Sequence, residues 1–333
     1  MQKNLKKIVC IGGGTGTSVV LSGLKKYPID LSAIVSMADD GGSNKVVRDE
    51  FGLLPTSDIR QCFVALAENT SESEQSLRKL FTYRFHEGKG FEGMTFGNLF
   101  MIALTDIYGS QTEAIKKTCE ILKIKGKILP ITLTNSKLVV IYENGEKVVG
   151  EHLIDEPNTN KNLKINNLYL EPVSEAYPEA VKTILDADLV VIGPGDLYTS
   201  LISGLVVKGI REALMATKAK VVYILNLMTK YGQTSGFTAK NHIETLEKYL
   251  GKNCLDYVLV NSGPIPQDAL EKYEEGKEFM VVNNLEDDYF KIIKSDILSK
   301  RQTKKVPGDS LKRSFIRHDS DNLGKVLIRL TEK

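Results

Sequence analysis

The chain has 333 residues, with 44 Lys and Arg against 42 Asp and Glu, a formal net charge of +2. So even a balance sets up no broad field for nucleic acid or an anionic membrane, and favours a small ligand over a polymer. No apolar stretch is long enough for a signal-peptide core or a membrane span, so a cytoplasmic protein without membrane insertion is expected. The length calls for one extended domain with an insertion, or two domains. Cys10, Cys62, Cys119 and Cys254 are widely separated without a C-x-x-C pair, which argues against a zinc cluster or a disulfide framework.

Apolar runs predict strands at 7–11, 31–36, 128–134, 188–192, 220–225 and 256–260. Several are continuously apolar, as parallel strands covered on both faces are. Helical periodicity predicts helices at 17–26, 58–68, 73–83, 97–107, 111–122, 174–185, 204–216, 238–249 and 321–331. The alternation is that of an α/β fold, a Rossmann-like doubly wound, mostly parallel sheet. It is broken at 138–170, where two apolar runs flank Asn144-Gly145 and predict a small antiparallel β-hairpin insertion. A polar loop follows it at 155–162, and 300–313 reads as a solvated lysine-rich connection.

The first strand leads straight into Gly12-Gly13-Gly14-Thr15-Gly16. Glycines at a strand-to-helix turn permit positive φ and let a phosphate approach the backbone, with the helix N–H groups aimed at it. Thr15, Thr17 and Ser18 add hydroxyl donors or cap that helix. Thr17 stands where a dinucleotide fingerprint has its third glycine, and no P-loop lysine follows. The loop therefore speaks more for phosphate than for NAD.

After the second strand comes Asp39-Asp40-Gly41-Gly42-Ser43. Strand ends of doubly wound sheets face one crevice, so these carboxylates should oppose the glycine loop. They fit a ribose acceptor, a Mg²⁺ ligand beside a diphosphate, or a general base. One of them could instead cap a helix near Asn44, but not both. Asp58 suits the start of the next helix, whereas Arg60 opposes the helix dipole there and needs a local anion. Gly97-Asn98 opens a further helix. A second phosphate-type loop, Gly193-Pro194-Gly195-Asp196, ends the fourth strand, with Tyr198, Thr199 and Ser200 at a helix start. Asn226 marks a third polar strand end. Of the four histidines, His86, His152 and His242 read as surface or structural residues, and His318 adjoins Arg317.

Taken in this order, Ile11–Gly16, Ala38–Ser43, Asp58–Arg60, Gly97–Leu99, Ile192–Gly195 with Leu197–Ser200, Asn226–Thr229 and Ile316–Asp319 resemble the CofD-like superfamily, most closely its YvcK-type gluconeogenesis factors. The resemblance covers nearly the whole chain as one domain, 1–333, with 300–333 as a connection and closing helix. It implies a role in carbon metabolism and cell shape on gluconeogenic carbon sources, and binding of a UDP-sugar or other phosphorylated small molecule. In that reading the glycine loops hold the diphosphate, and Asp39 and Asp40 manage sugar hydroxyls or, for Asp40, a magnesium ion. Arg317 would clamp an oxygen and Tyr273 stack on the base. A homo-oligomer and regulatory protein partners stay open. In the sister branch the scaffold is a magnesium-dependent transferase that moves a phospholactyl group from a guanosine diphosphate carrier, which is the alternative. An NAD(P)-dependent oxidoreductase is the second alternative. Asp196 is out of place beside an anion loop unless something neutralises it.

Overall fold

A computed structural model of the chain describes residues 5–68, 71–156, 162–300 and 314–332. Its main sheet is built from β1 (Lys7–Gly12), β2 (Asp30–Val35) and β3 (Lys127–Pro130). A smaller sheet then holds β4 (Lys137–Tyr142), β5 (Lys147–Val149) and β6 (Ile165–Glu171). The chain returns to the main sheet with β7 (Leu189–Ile192), β8 (Lys220–Ile224), β9 (Tyr257–Asn261) and β10 (Lys291–Ser295).

The main sheet has the order β10-β9-β8-β7-β1-β2-β3, all pairings parallel. β1 lies at its centre because Ile8-Val9-Cys10-Ile11 is apolar toward both faces, and all four residues are buried. Burial also pushes the Cys10 thiol far above its usual pKa, so it behaves as a small apolar group. From β1 the chain adds strands outward to β3, then resumes on the other side of β1 with β7. That reversal is the switch point of a doubly wound sheet, where the connections leave a crevice at the strand carboxyl ends. The predicted fold class is the observed one.

Helix Gly14–Leu24 packs against helix Ser57–Leu66 and against the last helix, Ser320–Leu330. The second contact is backbone on backbone: a Cβ on Gly23 would lie 1.9 Å from the Ser320 carbonyl oxygen, and one on Gly324 would lie 3.1 Å from the Gly23 backbone.

The structure departs from the sequence pattern in places. The first helix starts at Gly14 rather than Thr17, with Gly13 as its extended N-cap. The predicted helix 204–216 is split: a π-helical turn, Leu197–Ile202, runs into Ser203–Leu205, and Ile210–Ala216 follows. The helix considered near Asn44 forms as Ser43–Asp49, whereas helix Gln267–Glu275 and edge strand β10 are absent from the predicted elements. The hairpin forms with Gly145 at φ 85°, but the apolar run after it does not stay extended. Gly150, at φ 113°, turns the chain into a short helix, Glu151–Asp155, and β6 pairs with the other edge of β4. Parts of the predicted polar loop (157–161) and lysine-rich connection (301–313) lie outside the described residues.

Candidate functional site

The first glycine loop meets the second across the switch point. A Cβ on Gly16 would sit 2.0 Å from the Pro194 carbonyl oxygen, so the two loops touch main chain to main chain. Gly12 is packed against Thr17 Oγ1, and a Cβ on Gly13 would fall 2.1 Å from Asp58 Oδ2. Protein atoms thus supply a packing reason for Gly12, Gly13 and Gly16, while Gly14 (φ 64°) has open surroundings and Thr15 is exposed. Thr15 and Ser18 bond locally, to Gln61 and to the Thr15 carbonyl. The Asp58 carboxylate accepts from the Gly14 N–H, so a carboxylate of the chain itself occupies one amide at this helix start.

Asp39 and Asp40 follow β2 on the facing side. Neither caps the helix Ser43–Asp49, whose N-cap is Gly42. Asp39 Oδ1 accepts from the Gly41 N–H at 3.0 Å, and Asp40 Oδ1 accepts from the His152 N–H at 2.9 Å. Ser43 Oγ accepts from Asn98 Nδ2 at 3.0 Å, which ties the helix opened by Gly97-Asn98 to this loop. Thr95, rather than Gly97 or Asn98, caps that helix.

Three of the carboxylates here have raised pKa values. Asp39 is pushed up by burial first and then by Asp40 and Asp155, against the Gly41 N–H. Asp58 is raised to about 7, by burial and by Asp39, against the Gly14 N–H and Arg60. Arg60 thus has its local anion inside the protein, and its side chain lies over Gly97, where a Cβ would come within 2.5 Å of Arg60 Cδ. Glu151, from the insertion, is raised well above its usual value by burial and by Asp39, Asp155, Asp58 and Asp40. Close carboxylates in poor contact with water resist ionising together.

The second loop carries its own neutralisation. Gly193 is at φ 78° and its peptide to Pro194 is cis. Asn226 Nδ2 donates to the Gly195 carbonyl at 2.7 Å and so holds the loop in place. Asp196 faces Lys230, whose Nζ lies 3.1 Å from Asp196 Oδ2 and 3.1 Å from Asp155 Oδ2. Burial works to lower the Lys230 pKa, but Asp196 and Asp155 carry it above the usual value, so the ammonium stays charged. Burial and Asp155 raise Asp196 against that pull.

Other predicted site residues lie elsewhere. The Tyr198 side chain is buried, its hydroxyl bonded to Thr245 and its pKa pushed up to about 12 by burial. Tyr273 is buried in a satellite cluster with Ala269, Leu298 and Ile316, edge-on to Phe315 at 5.3 Å, and its hydroxyl accepts from the Ile316 N–H. Its ring faces offer no stacking surface in this conformation. Arg317 is half-buried beside it, its carbonyl accepting from the Ser299 N–H. His318 is buried, and loss of hydration lowers its pKa to about 4, so it is neutral. Sequence reading missed Glu151, Asp155 and Lys230; the signal was Gly150 inside an apparent strand, followed at once by an acidic residue.

The oxygen-rich donor set suits Mg²⁺ rather than zinc. Among the described residues no three His, Cys, Asp or Glu side chains are grouped to hold a metal ion, so the chain forms no cage of its own. Magnesium does not need one, since it binds through one or two carboxylates together with phosphate oxygens and water. No helix among the described residues is long and apolar enough to cross a membrane.

Fold and site define a doubly wound α/β protein whose crevice, at the switch point, joins two glycine loops to a set of acidic side chains. The chain belongs to the CofD family, whose model, described as 2-phospho-L-lactate transferase CofD, matches residues 8–298. It is 41% identical to a protein of Thermoanaerobacterium thermosulfurigenes named "Putative gluconeogenesis factor", over 99% of this chain and 98% of that one. It is 36% identical to the gluconeogenesis factor of Bacillus subtilis, over 98% of each chain. The crystal structure of a UPF0052 family protein from Bacillus halodurans superposes with a TM-score of 0.87 at 32% identity, covering 98% of this chain and 99% of that chain.

Proposed function

We propose that the crevice binds a nucleoside diphosphate sugar of the UDP-sugar class, and that through this ligand the protein supports carbon metabolism and cell shape on gluconeogenic carbon sources in the cytoplasm. The observation that carries this reading is the direct contact of the two glycine loops at the switch point, Gly16 against Pro194. A diphosphate laid over Gly14 and Thr15 meets the open part of that floor and the start of helix Gly14–Leu24. Asp39, Asp40 and Glu151 then face the sugar, whose hydroxyls are donors that carboxylates accept. Magnesium, when bound, would neutralise diphosphate charge, with Asp40 as a ligand. The names of the relatives support the metabolic role.

Calorimetry and thermal unfolding with UDP-N-acetylglucosamine and UDP-glucose, with magnesium, test the reading. A ligand at about one hundred times its Kd should stabilise the fold by about 2.7 kcal/mol. No binding at millimolar UDP-sugar alongside micromolar NAD binding would replace it with the dinucleotide reading.

A second reading is favoured by the placing of Asp58 against the Gly13-Gly14 turn, where burial and Asp39 raise its carboxyl to about 7. A group poised there can take or give a proton near neutral pH, the role a general acid or base would play in a magnesium-dependent phospholactyl-type transferase. Incubation with magnesium, the phospholactyl guanosine diphosphate and the deazaflavin precursor decides it. Product that disappears in Asp40→Asn would establish transfer as the activity.

A further inference from the structure

The helix Glu151–Asp155 of the antiparallel insertion is tied at its two ends to opposite sides of the crevice. At its start the His152 N–H donates to Asp40, in the loop after β2. At its end Asp155 Oδ1 accepts from Thr199 Oγ1 at 3.1 Å and from Gln233 Nε2 at 3.0 Å, while Oδ2 pairs with Lys230 Nζ at 3.1 Å. Thr199 follows β7, and Lys230 and Gln233 follow β8. Since β2 and β7 flank β1 on either side, the helix bridges the crevice across the end of β1. Glu151 is half-buried beneath it, toward Asp39 and Asp58. Gln233 Oε1, at the Asp155 end, is a buried acceptor without a donor among the described residues, so a further donor would complete this network.

We propose that this helix is a strap that reads the non-nucleotide end of the ligand, and that Lys230 is the positioning residue that seats it. The inference rests on the nucleotide-sugar reading. Its chemistry is selective: Glu151 already lies among Asp39, Asp40, Asp58 and Asp155, so a further phosphate or carboxylate would crowd this acidic set, whereas its oxygens accept the hydroxyl and amide donors of a neutral sugar. Such a strap rewards the sugar and not the nucleoside diphosphate, so its signature is the ratio of the two affinities. Lys230 acts through the strap: it holds Asp155 on the β8 side and neutralises Asp196.

The test measures Kd for UDP and for UDP-N-acetylglucosamine, and thermal unfolding, in wild type, Lys230→Met, Lys230→Arg and Thr199→Val. Wild type should prefer the sugar nucleotide, and Lys230→Met should reduce that preference about tenfold. Lys230→Arg, which keeps the charge, should restore most of it, a rescue that loss of packing alone would not give. Thr199→Val removes one tie without baring a charge and should lower the ratio by a smaller factor in a folded protein. An unchanged ratio in Lys230→Met overturns the proposal, as does, if that variant does not fold, an unchanged ratio in Thr199→Val. Wild type that binds both ligands equally overturns the strap alone. Wild type that binds neither overturns the nucleotide-sugar reading, and the strap with it.

Discussion

In the loop after β1, Gly13 and Gly16 are forced by close packing: a Cβ on Gly16 would lie 2.0 Å from Pro194 O, and one on Gly13 would lie 2.1 Å from Asp58 Oδ2. In the loop after β7, a Cβ on Gly195 would meet nothing closer than Ser200 Cβ, at 3.2 Å. The electrostatics differ as well. The first loop starts a regular α-helix whose Gly14 N–H is satisfied by Asp58, whereas the second leads into a π-helical turn and sets Asp196 against Lys230. Two loops that look alike as sequence therefore do different work. The first is a rigid floor already balanced by an internal carboxylate, and the second is a charged wall joined to the insertion.

The largest expected effect breaks this comparison by size alone. Gly16→Ala should cost about 3 kcal/mol, since backbone must move, while Gly195→Ala should cost about 1 kcal/mol or less. Urea unfolding of the two variants checks it; equal losses would mean that the first loop yields as easily as the second.

The next effect sharpens the electrostatic half. Burial first, and Asp39 second, raise the Asp58 pKa from 3.8 to about 7. The folded protein therefore holds a proton that the unfolded chain releases between those values. The stability from this group is complete below the unfolded value and is lost as pH rises through about 7. Relative to Asp58→Asn, wild type should lose about 2 kcal/mol between about pH 4 and pH 8, allowing for partial solvent contact. Parallel unfolding curves for the two proteins across that range would remove Asp58 as a proton holder.

The smallest effect lies in the second loop. Asn226→Ala removes the 2.7 Å bond to the Gly195 carbonyl and should cost about 1 kcal/mol. UDP-sugar affinity measured beside stability tells whether loosening the wall is felt by the ligand.

Most of the sheet was legible because its strands are apolar on both faces. β10 was not, because Lys291-Ile-Ile-Lys-Ser295 is a half-exposed edge strand with two lysines. The helix Gln267–Glu275 escaped because Ala269 and Tyr273 are its only buried residues. At the site, the two glycine loops and the Asp39-Asp40 loop were found from their place after strands. Glu151, Asp155 and Lys230 were not, since a five-residue helix is too short for periodicity, and a salt bridge joining positions 155, 196 and 230 leaves no local mark. Tyr273 illustrates the converse: the family resemblance implies a stacking surface there, whereas Phe315 and Ile316, from the far end of the chain, cover the ring.

The glycine-to-backbone crossing of helices Gly14–Leu24 and Ser320–Leu330 has a consequence for synthesis. The first helix leaves the ribosome nearly three hundred residues before the last one that covers it, as the Lys26 to Asp321 ion pair spans 295 positions. At about 5–20 residues per second, the apolar side of the first helix waits roughly 15–60 s for its partner. That face of the first helix is therefore completed only once residues 320–330 have been made and docked, so a contact between two helices far apart in the chain sets the latest step at which this part of the core can close.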